Sequence, residues 1–215
     1  MGRIKNAITK LKNNYIRRRR RSKLKYKDFT IISNNCWAGT AVYQPFGLKY
    51  NTPTVGMGFV DDDYIKFLER LDYYLSLTPE FISPETAKDY ELRRKLRGGE
   101  IDYPVARLDD ITLWFTHYHS MEEALDKWEK RKKRINRNRL LIKWSQRYNQ
   151  DPKLLQRFLA LPYKNKIVFV EPASRVDNNQ VIVVPELTEL NVKGGDETEY
   201  TLQRIDVYAL LNSID

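Results

Sequence analysis

The chain alternates short apolar runs with segments of helical periodicity, and this alternation constrains its fold more than any other feature. Runs rich in β-branched and aromatic residues, which are typical of strands, stand at residues 29–32, 54–59, 111–118, 140–144 and 167–170. Helical stripes lie between them, most clearly over residues 64–75 and 152–160, and Ser120 is placed to cap a further helix. The alternation predicts a layered α/β/α fold with a mainly parallel sheet.

The length of 215 residues suits one domain preceded by a small appendage. We divide the chain into a basic arm, residues 1–27, and a single α/β domain, residues 28–215. Within that domain residues 79–103 are a charged excursion, and residues 180–215 have the weakest pattern. A single cysteine excludes an intrachain disulfide, and no apolar run approaches the ~20 residues that span a bilayer. We therefore expect a cytoplasmic protein, with a peripheral position at the inner face of the membrane as the alternative.

The net charge of +10 comes from the basic arm, which holds 12 of the 38 basic residues and no acid. Ile4, Ile8, Leu11 and Tyr15 recur there at helical spacing, which predicts a basic amphipathic helix. Three roles stay open: docking on the domain, binding to an anionic membrane surface or a membrane-bound partner, and binding to nucleic acid. Nucleic acid is the least favoured partner, since no nucleic-acid-binding motif accompanies the arm.

Polar residues follow three of the predicted strands, at the carboxyl ends where ligands bind in open α/β sheets. These residues are Asn34, Asn35 and Cys36 after the first strand, His117 and His119 after the third, and Glu171 after the last. If the three strands are parallel in one sheet, their polar residues share one edge of the molecule.

Cys36 is either a nucleophile or a small buried apolar residue. A position after a strand and at the start of a helix would lower the thiol pKa, because free backbone donors favour the thiolate. His117 would then take the thiol proton, and Asn34 or Asn35 would orient the imidazole or stabilise an oxyanion. Both histidines also have a structural interpretation, as donors to backbone carbonyls.

A basic row runs along the predicted helix from Lys127 to Asn138 at steps of four, three and four residues. Arginine binds phosphate or carboxylate with two hydrogen bonds, so this row is a candidate anion site, although a solvated face paired with nearby acids fits it equally. The candidate substrate contacts are Asn34, Arg131, Arg134, Asn136, His119, Asp110 and Glu171. Two histidines without a defined carboxylate partner are too few for a metal site, and no glycine-rich phosphate loop is present, so neither metal nor cofactor is predicted.

Five stretches carry a family resemblance over roughly residues 28–172: "FTIISNNCWAG", "GLKYNTPTVGMGF", "DYIKFLERLDYYL", "LDDITLWFTHYHSMEEALDKWEKRKKRIN" and "LPYKNKIVFVEP". Together they resemble an uncharacterised bacterial family associated with exopolysaccharide, or capsule, biosynthesis. A fainter resemblance is to papain-like cysteine peptidases of bacteria. It rests on elements in the same order, namely Asn35-Cys36, Gly47-Leu48, Thr52-Pro53, His117-Tyr118 and Arg131-x-x-Arg134-Ile135. This second resemblance implies Cys36 as nucleophile and His117 as base.

The first resemblance implies a cytoplasmic role in exopolysaccharide biosynthesis. Joined to the residues above, it predicts a cysteine-dependent transferase or hydrolase acting on a phosphorylated, nucleotide-linked or lipid-linked saccharide. The alternative is a protein without catalysis, which binds an anionic ligand or serves as a scaffold. In that case the basic arm would tether it to the membrane or to a glycosyltransferase. The sequence leaves open whether the protein is an enzyme.

Overall fold

The computed structural model describes residues 2–187, 189–190 and 195–214, which contain two sheets. The larger sheet has four parallel strands in the order β1-β5-β6-β7, and the smaller sheet has three antiparallel strands in the order β2-β3-β4. The strands are β1 (Thr30–Ser33), β2 (Glu80–Ile82), β3 (Val105–Leu108), β4 (Ile111–Trp114), β5 (Leu140–Ser145), β6 (Asn165–Val170) and β7 (Val181–Val183). The predicted α/β fold with a mainly parallel sheet is confirmed.

Helices cover both faces of the parallel sheet. The described residues form the helices α1 (Gly2–Ser22), a π-helix (Ala38–Tyr43), α2 (Gln44–Phe46), α3 (Asp61–Glu69), α4 (Leu71–Ser76), α5 (Tyr90–Arg97), α6 (Met121–Lys132), α7 (Pro152–Ala160), α8 (Thr198–Leu202) and α9 (Val207–Asn212). Short 3₁₀ turns span Pro84–Thr86, Arg137–Arg139 and Pro172–Ser174. Neighbouring residues of one strand enter opposite cores: Ile32 packs with α3, α4, α6 and α7, while Ile31 packs with the π-helix and α9. The sheet is therefore the middle layer of an α/β/α stack.

The helical predictions are confirmed at most positions. The stripe over residues 64–75 is buried, although the helix breaks at Arg70 into α3 and α4. Ser120 caps α6 as predicted, its side chain accepting a hydrogen bond from the Glu123 N–H. The weakly patterned segment 180–215 supplies β7, α8 and α9.

One strand prediction is confirmed for only part of its run, and another is wrong. The run at residues 111–118 is not a strand of the parallel sheet: it forms β4, which ends at Trp114 and pairs with β3 in an antiparallel hairpin. β4 pairs with β3 because a turn of only two residues joins Leu108 to Ile111. In this turn Asp109 adopts a left-handed φ of 57°, which short polar side chains tolerate. The run at residues 54–59 is a turn with one isolated bridge, between Gly58 and Trp114.

The basic arm forms α1, and the contacts that its described residues make with the domain lie at its carboxyl-terminal end. Arg21 donates to the Gly47 carbonyl at 3.0 Å, and Leu24 just beyond the helix is buried. Ile8, Leu11 and Tyr15 are exposed instead of docked. Within the residues that the structure describes, no helix has the length and apolar character to cross a membrane.

Candidate functional site

Cys36 and His117 are in direct contact. The Cys36 Sγ lies 3.0 Å from the His117 Nε2, although the two residues are separated by 81 positions in the chain. Cys36 follows β1 of the parallel sheet, whereas His117 follows β4 of the antiparallel sheet. The site is therefore built at the junction of the two sheets and not along one sheet edge.

Residues 54–59 hold this junction together by backbone hydrogen bonds on both sides. The Phe59 N–H donates to the Asn34 carbonyl at 2.9 Å, which ties the segment to the end of β1. Gly58 and Trp114 exchange two hydrogen bonds, at 2.8 and 3.3 Å, and the His117 N–H donates to the Gly56 carbonyl at 3.1 Å. One loop thereby fixes the backbones of both Cys36 and His117.

The predicted lowering of the Cys36 pKa is wrong. Burial raises the pKa of the Cys36 thiol to about 11, and the negative charge of Asp196 adds to the rise. A hydrogen-bond interaction with Thr116 and the charges of Lys143 and Arg93 act in the opposite direction but do not outweigh burial. The thiol is therefore protonated at neutral pH.

The donors expected to favour the thiolate are already used by other groups. The Trp37 N–H donates to the Asn35 Oδ1 at 3.2 Å. The N–H groups of Gly39 and Thr40 donate to the carbonyl of Cys36 itself, at 2.9 and 3.0 Å. The start of this helix is consequently satisfied by its own segment and offers little to the sulfur.

Of the two amides predicted beside His117, Asn34 lies outside the cavities at the pair, whereas Asn35 lines a cavity together with Cys36 and His117. The Asn34 amide is buried and exchanges two hydrogen bonds with the backbone of Ser145, at 2.9 and 3.0 Å. The Asn35 amide accepts from the Lys143 Nζ at 3.1 Å and donates to the Glu197 Oε1 at 3.0 Å. Both amides fix the carboxyl ends of β1 and β5, and Asn34 is not accessible to a substrate.

Lys143 and Glu197 form a buried ion pair beneath Cys36, which the sequence interpretation missed. Ser145 reinforces the pair, since its hydroxyl lies 2.5 Å from both the Lys143 Nζ and the Glu197 Oε1. Burial lowers the pKa of Lys143 to about 8. Burial also opposes ionisation of Glu197, but the charge and hydrogen bond of Lys143 hold the pKa of that carboxyl below its ordinary value. The available signal was a lysine in the middle of the apolar strand "LLIKWS".

The Cys36–His117 pair lies between two cavities and lines both of them. The first cavity, of about 330 Å³, is also lined by Arg93, Arg147, Tyr148, Asp196 and Glu197. The second cavity, of about 290 Å³, is also lined by Tyr50, Tyr118, Glu123 and Arg131. A thiol and an imidazole at such a junction can meet ligand groups from two directions.

Of the predicted basic row, Arg131 is the residue that lines a cavity together with the Cys36–His117 pair. It donates to the Tyr118 hydroxyl at 2.7 Å and to the Val55 carbonyl at 3.0 Å. Arg134 and Asn136 lie elsewhere, so their predicted place at the site is wrong: Arg134 donates to the Tyr50 carbonyl, and the Asn136 N–H binds Thr30 at the opposite end of β1. Each turn of α6 advances about 5.4 Å, which carries the row away from His117.

The remaining candidates are also outside the lining of the two cavities, and their predicted contacts are not supported. Asp110 lies in the β3–β4 turn, and hydrogen bonds from Lys66 and Tyr74 lower the pKa of its carboxyl. His119 begins the approach to α6, where its N–H donates to the Glu123 carboxylate. Glu171 caps the 3₁₀ turn after β6. Among the residues described, no group of three or more His, Cys, Asp or Glu could hold a metal ion.

The fold and site define an α/β protein with a cysteine–histidine pair between two cavities. A family model described as "Domain of unknown function (DUF1919)" matches residues 7–200, and the chain belongs to this family. An uncharacterized protein of Haemophilus influenzae is 31% identical over 166 residues, which cover 77% of this chain and 73% of the relative. Neither match names a substrate or a reaction, and the expected role in capsule biosynthesis stays a prediction.

Proposed function

We propose that this protein is a cysteine-dependent transferase or hydrolase in which Cys36 is the nucleophile and His117 the base. The observation that carries the proposal is the 3.0 Å contact between Sγ and Nε2 at the junction of two cavities. A nucleophile within hydrogen-bond reach of a base is the geometric requirement of covalent catalysis. The proposed substrate is an acylated saccharide that carries an anionic group, and its place in exopolysaccharide biosynthesis rests on the sequence resemblance.

The reaction is written as acyl transfer. As Sγ attacks the carbonyl carbon of an ester, its proton passes to Nε2, the S–C bond forms, and the alcohol leaves with that proton when the C–O bond breaks. Water, or the hydroxyl of an acceptor, then attacks the thioester and gives its proton to Nε2. Sγ leaves and recovers that proton. Because the thiol starts protonated, transfer to Nε2 accompanies the attack instead of preceding it.

The two cavities favour transfer between two ligands over simple hydrolysis. Cys36 and His117 line both spaces, so an acyl donor bound in one and an acceptor bound in the other would reach the same sulfur. In the second cavity the guanidinium of Arg131 lies 5.0 Å from the centre of the Tyr50 ring. An aromatic face beside a cation suits a sugar ring with a charged substituent.

The test is acetylation of Cys36 by p-nitrophenyl acetate, followed by intact-protein mass and p-nitrophenolate release. We expect one acetyl group on the wild-type protein and none on Cys36→Ala. His117→Ala should acetylate at least about 100-fold more slowly, as for loss of a general base. His119→Ala is the matched control, because it removes the other histidine of the chain and should acetylate like the wild type. Equal rates for His117→Ala and His119→Ala would refute the assignment of the base.

We also propose, as the alternative function, that α1 tethers the protein to an anionic membrane surface. Three apolar side chains of this basic helix face solvent, with exposed fractions of 60% for Ile8, 70% for Leu11 and 67% for Tyr15. Burying such a stripe in a lipid interface, with each nearby lysine or arginine adding about 1 kcal/mol, is the usual basis of peripheral binding.

Flotation with phosphatidylglycerol-containing vesicles tests the tether. Ile8→Ser combined with Leu11→Ser should lose most vesicle binding, whereas the control Asn13→Ser with Asn14→Ser, at exposed polar positions of the same helix, should retain it. Equal flotation of both double variants would contradict insertion of the apolar stripe. If the wild-type protein binds the vesicles but Cys36 is not acetylated by p-nitrophenyl acetate, we would conclude that the protein is a scaffold without chemistry.

A further inference from the structure

Arg93 is a buried cation in the wall of the first cavity. It lies on α5, in the charged excursion, and its exposed fraction is 7%. Its guanidinium carbon is 5.3 Å from the centre of the Trp114 ring and 5.4 Å from that of Tyr148. These rings hold the guanidinium plane beside the Cys36–His117 pair, which lines the same cavity.

This guanidinium lacks the partners that a buried arginine normally has. Within the part of the chain that the structure describes, Nε and Nη2 of Arg93 are enclosed without a hydrogen-bond partner, and no carboxylate forms an ion pair with it. The Asp89 carboxylate, one turn earlier, acts on the Arg93 guanidinium through its charge, and its own Oδ2 is likewise enclosed without a partner. A buried guanidinium without a hydrogen-bonded counter-charge is unfavourable, so a compensating ligand is expected.

The acids of the first cavity are already committed to other groups. Glu197 is paired with Lys143. Asp196 accepts from the Thr198 N–H at 2.9 Å and from its hydroxyl at 2.6 Å. The charge of Arg93 thus remains available for a ligand in the cavity.

The backbone is shaped to admit this side chain. A Cβ on Gly58 would stand 2.6 Å from Nη2 of Arg93, which is closer than real contacts allow, and 3.0 Å from Nη1, which is tight. Gly58 also makes the bridge to Trp114, so the residue that joins the two sheets is the one against which the guanidinium packs. The position of Arg93 is consequently coupled to the loop that assembles the Cys36–His117 pair.

We propose that Arg93 binds an oxyanion of the ligand, a phosphate or carboxylate group, in the first cavity. The inference rests on the proposed function only in assigning that oxyanion to the substrate, because anion binding itself requires no chemistry at Cys36. It places an anion site on the excursion helix α5, in addition to the cation that Arg131 of α6 supplies in the second cavity.

The test is thermal unfolding of the full chain at constant ionic strength, with inorganic phosphate, sodium acetate or sodium chloride added. We expect phosphate or acetate to raise the Tm and chloride to leave it unchanged, since a ligand bound to the folded state stabilises it. Arg93→Met should bind the effective anion at least tenfold more weakly. The matched control is Arg97→Met, which removes an exposed arginine of the same helix paired with Asp102, and it should respond like the wild type.

The outcomes separate the two anions and the two proposals. A response to phosphate alone assigns a phosphoryl group, a response to acetate alone assigns a carboxylate, and no response to either overturns the inference. An equal rise in Tm in Arg93→Met and the wild type also overturns it. The anion would then be binding away from Arg93, for example at the basic arm, which both proteins have. If the wild-type protein binds the anion but Cys36 is not acetylated, the proposed function is refuted and the anion site is still supported.

A second measurement starts from the wild-type protein and does not depend on the folding of Arg93→Met. In the wild-type protein, the anion that raises the Tm should slow alkylation of Cys36 by iodoacetamide at least tenfold, because both occupy the first cavity. Arg93→Lys, which keeps the charge but loses the planar guanidinium, should need more anion for the same protection. Alkylation that is indifferent to an anion known to bind would place that anion elsewhere and refute the assignment to this cavity.

Discussion

The sharpest prediction concerns the reactivity of Cys36 as a function of pH. Burial shifts the pKa of this thiol from its ordinary 9.0 to about 11. Two units correspond to about a hundredfold smaller thiolate fraction at neutral pH, and only the thiolate reacts with iodoacetamide. The alkylation rate should therefore rise about tenfold per pH unit, and the rise should continue without a plateau up to about pH 10.

Intact-protein mass spectrometry measures this rate at a single site, because Cys36 is the only cysteine. Protein unfolded in urea is the control, and its rate should level off near the ordinary thiol pKa. At pH 7 the folded protein should react about a hundredfold more slowly than the unfolded one, before any steric effect. A folded-state plateau below pH 8 would refute the reasoning, since it would show that His117 and the nearby cations outweigh burial and stabilise a thiolate.

Two further predictions concern the groups around the pair. Lys143→Met and Glu197→Gln should each lower the free energy of unfolding by about 3–5 kcal/mol in urea titrations, because each leaves a buried partner uncompensated. The double variant should cost less than the sum, and strict additivity would show that the two residues do not interact. Gly58→Ala should displace Arg93 and weaken anion binding at least tenfold at unchanged far-ultraviolet circular dichroism, and wild-type anion affinity in this variant would contradict the packing argument.

The sequence predicts the layers of this fold well because they depend on local periodicity. The pattern of apolar residues predicts the strands at residues 29–32, 140–144 and 167–170 and the helical stripe at 64–75. Sheet membership has no such local signal. The run at residues 111–118 has the same β-branched and aromatic character as the parallel strands, and only the short turn at Asp109 and Asp110 marks it as half of a hairpin.

The candidate site likewise contains residues that local sequence pattern predicts and one that it does not. Cys36 and His117 can be selected from the sequence because reactive residue types after apolar runs are few, and the chain has one cysteine and two histidines. Arg93 cannot, since it stands in a stretch where charged residues are dense and its neighbours are exposed. Its burial arises from packing against Trp114 and Tyr148, which are distant in sequence, and no spacing rule encodes that contact.

The thiol and the proposed anion site place opposite demands on the same charges. Arg93 and Lys143 both lower the pKa of Cys36, so they partly offset the effect of burial. An oxyanion bound to Arg93 would neutralise one of these charges and disfavour the thiolate further. In the proposed reaction a preformed thiolate would thus be least available with the ligand bound, and His117 would have to take the proton during the attack itself. Contact between His117 and Cys36 at 3.0 Å satisfies that requirement, because the proton need travel only one hydrogen bond as the sulfur reacts.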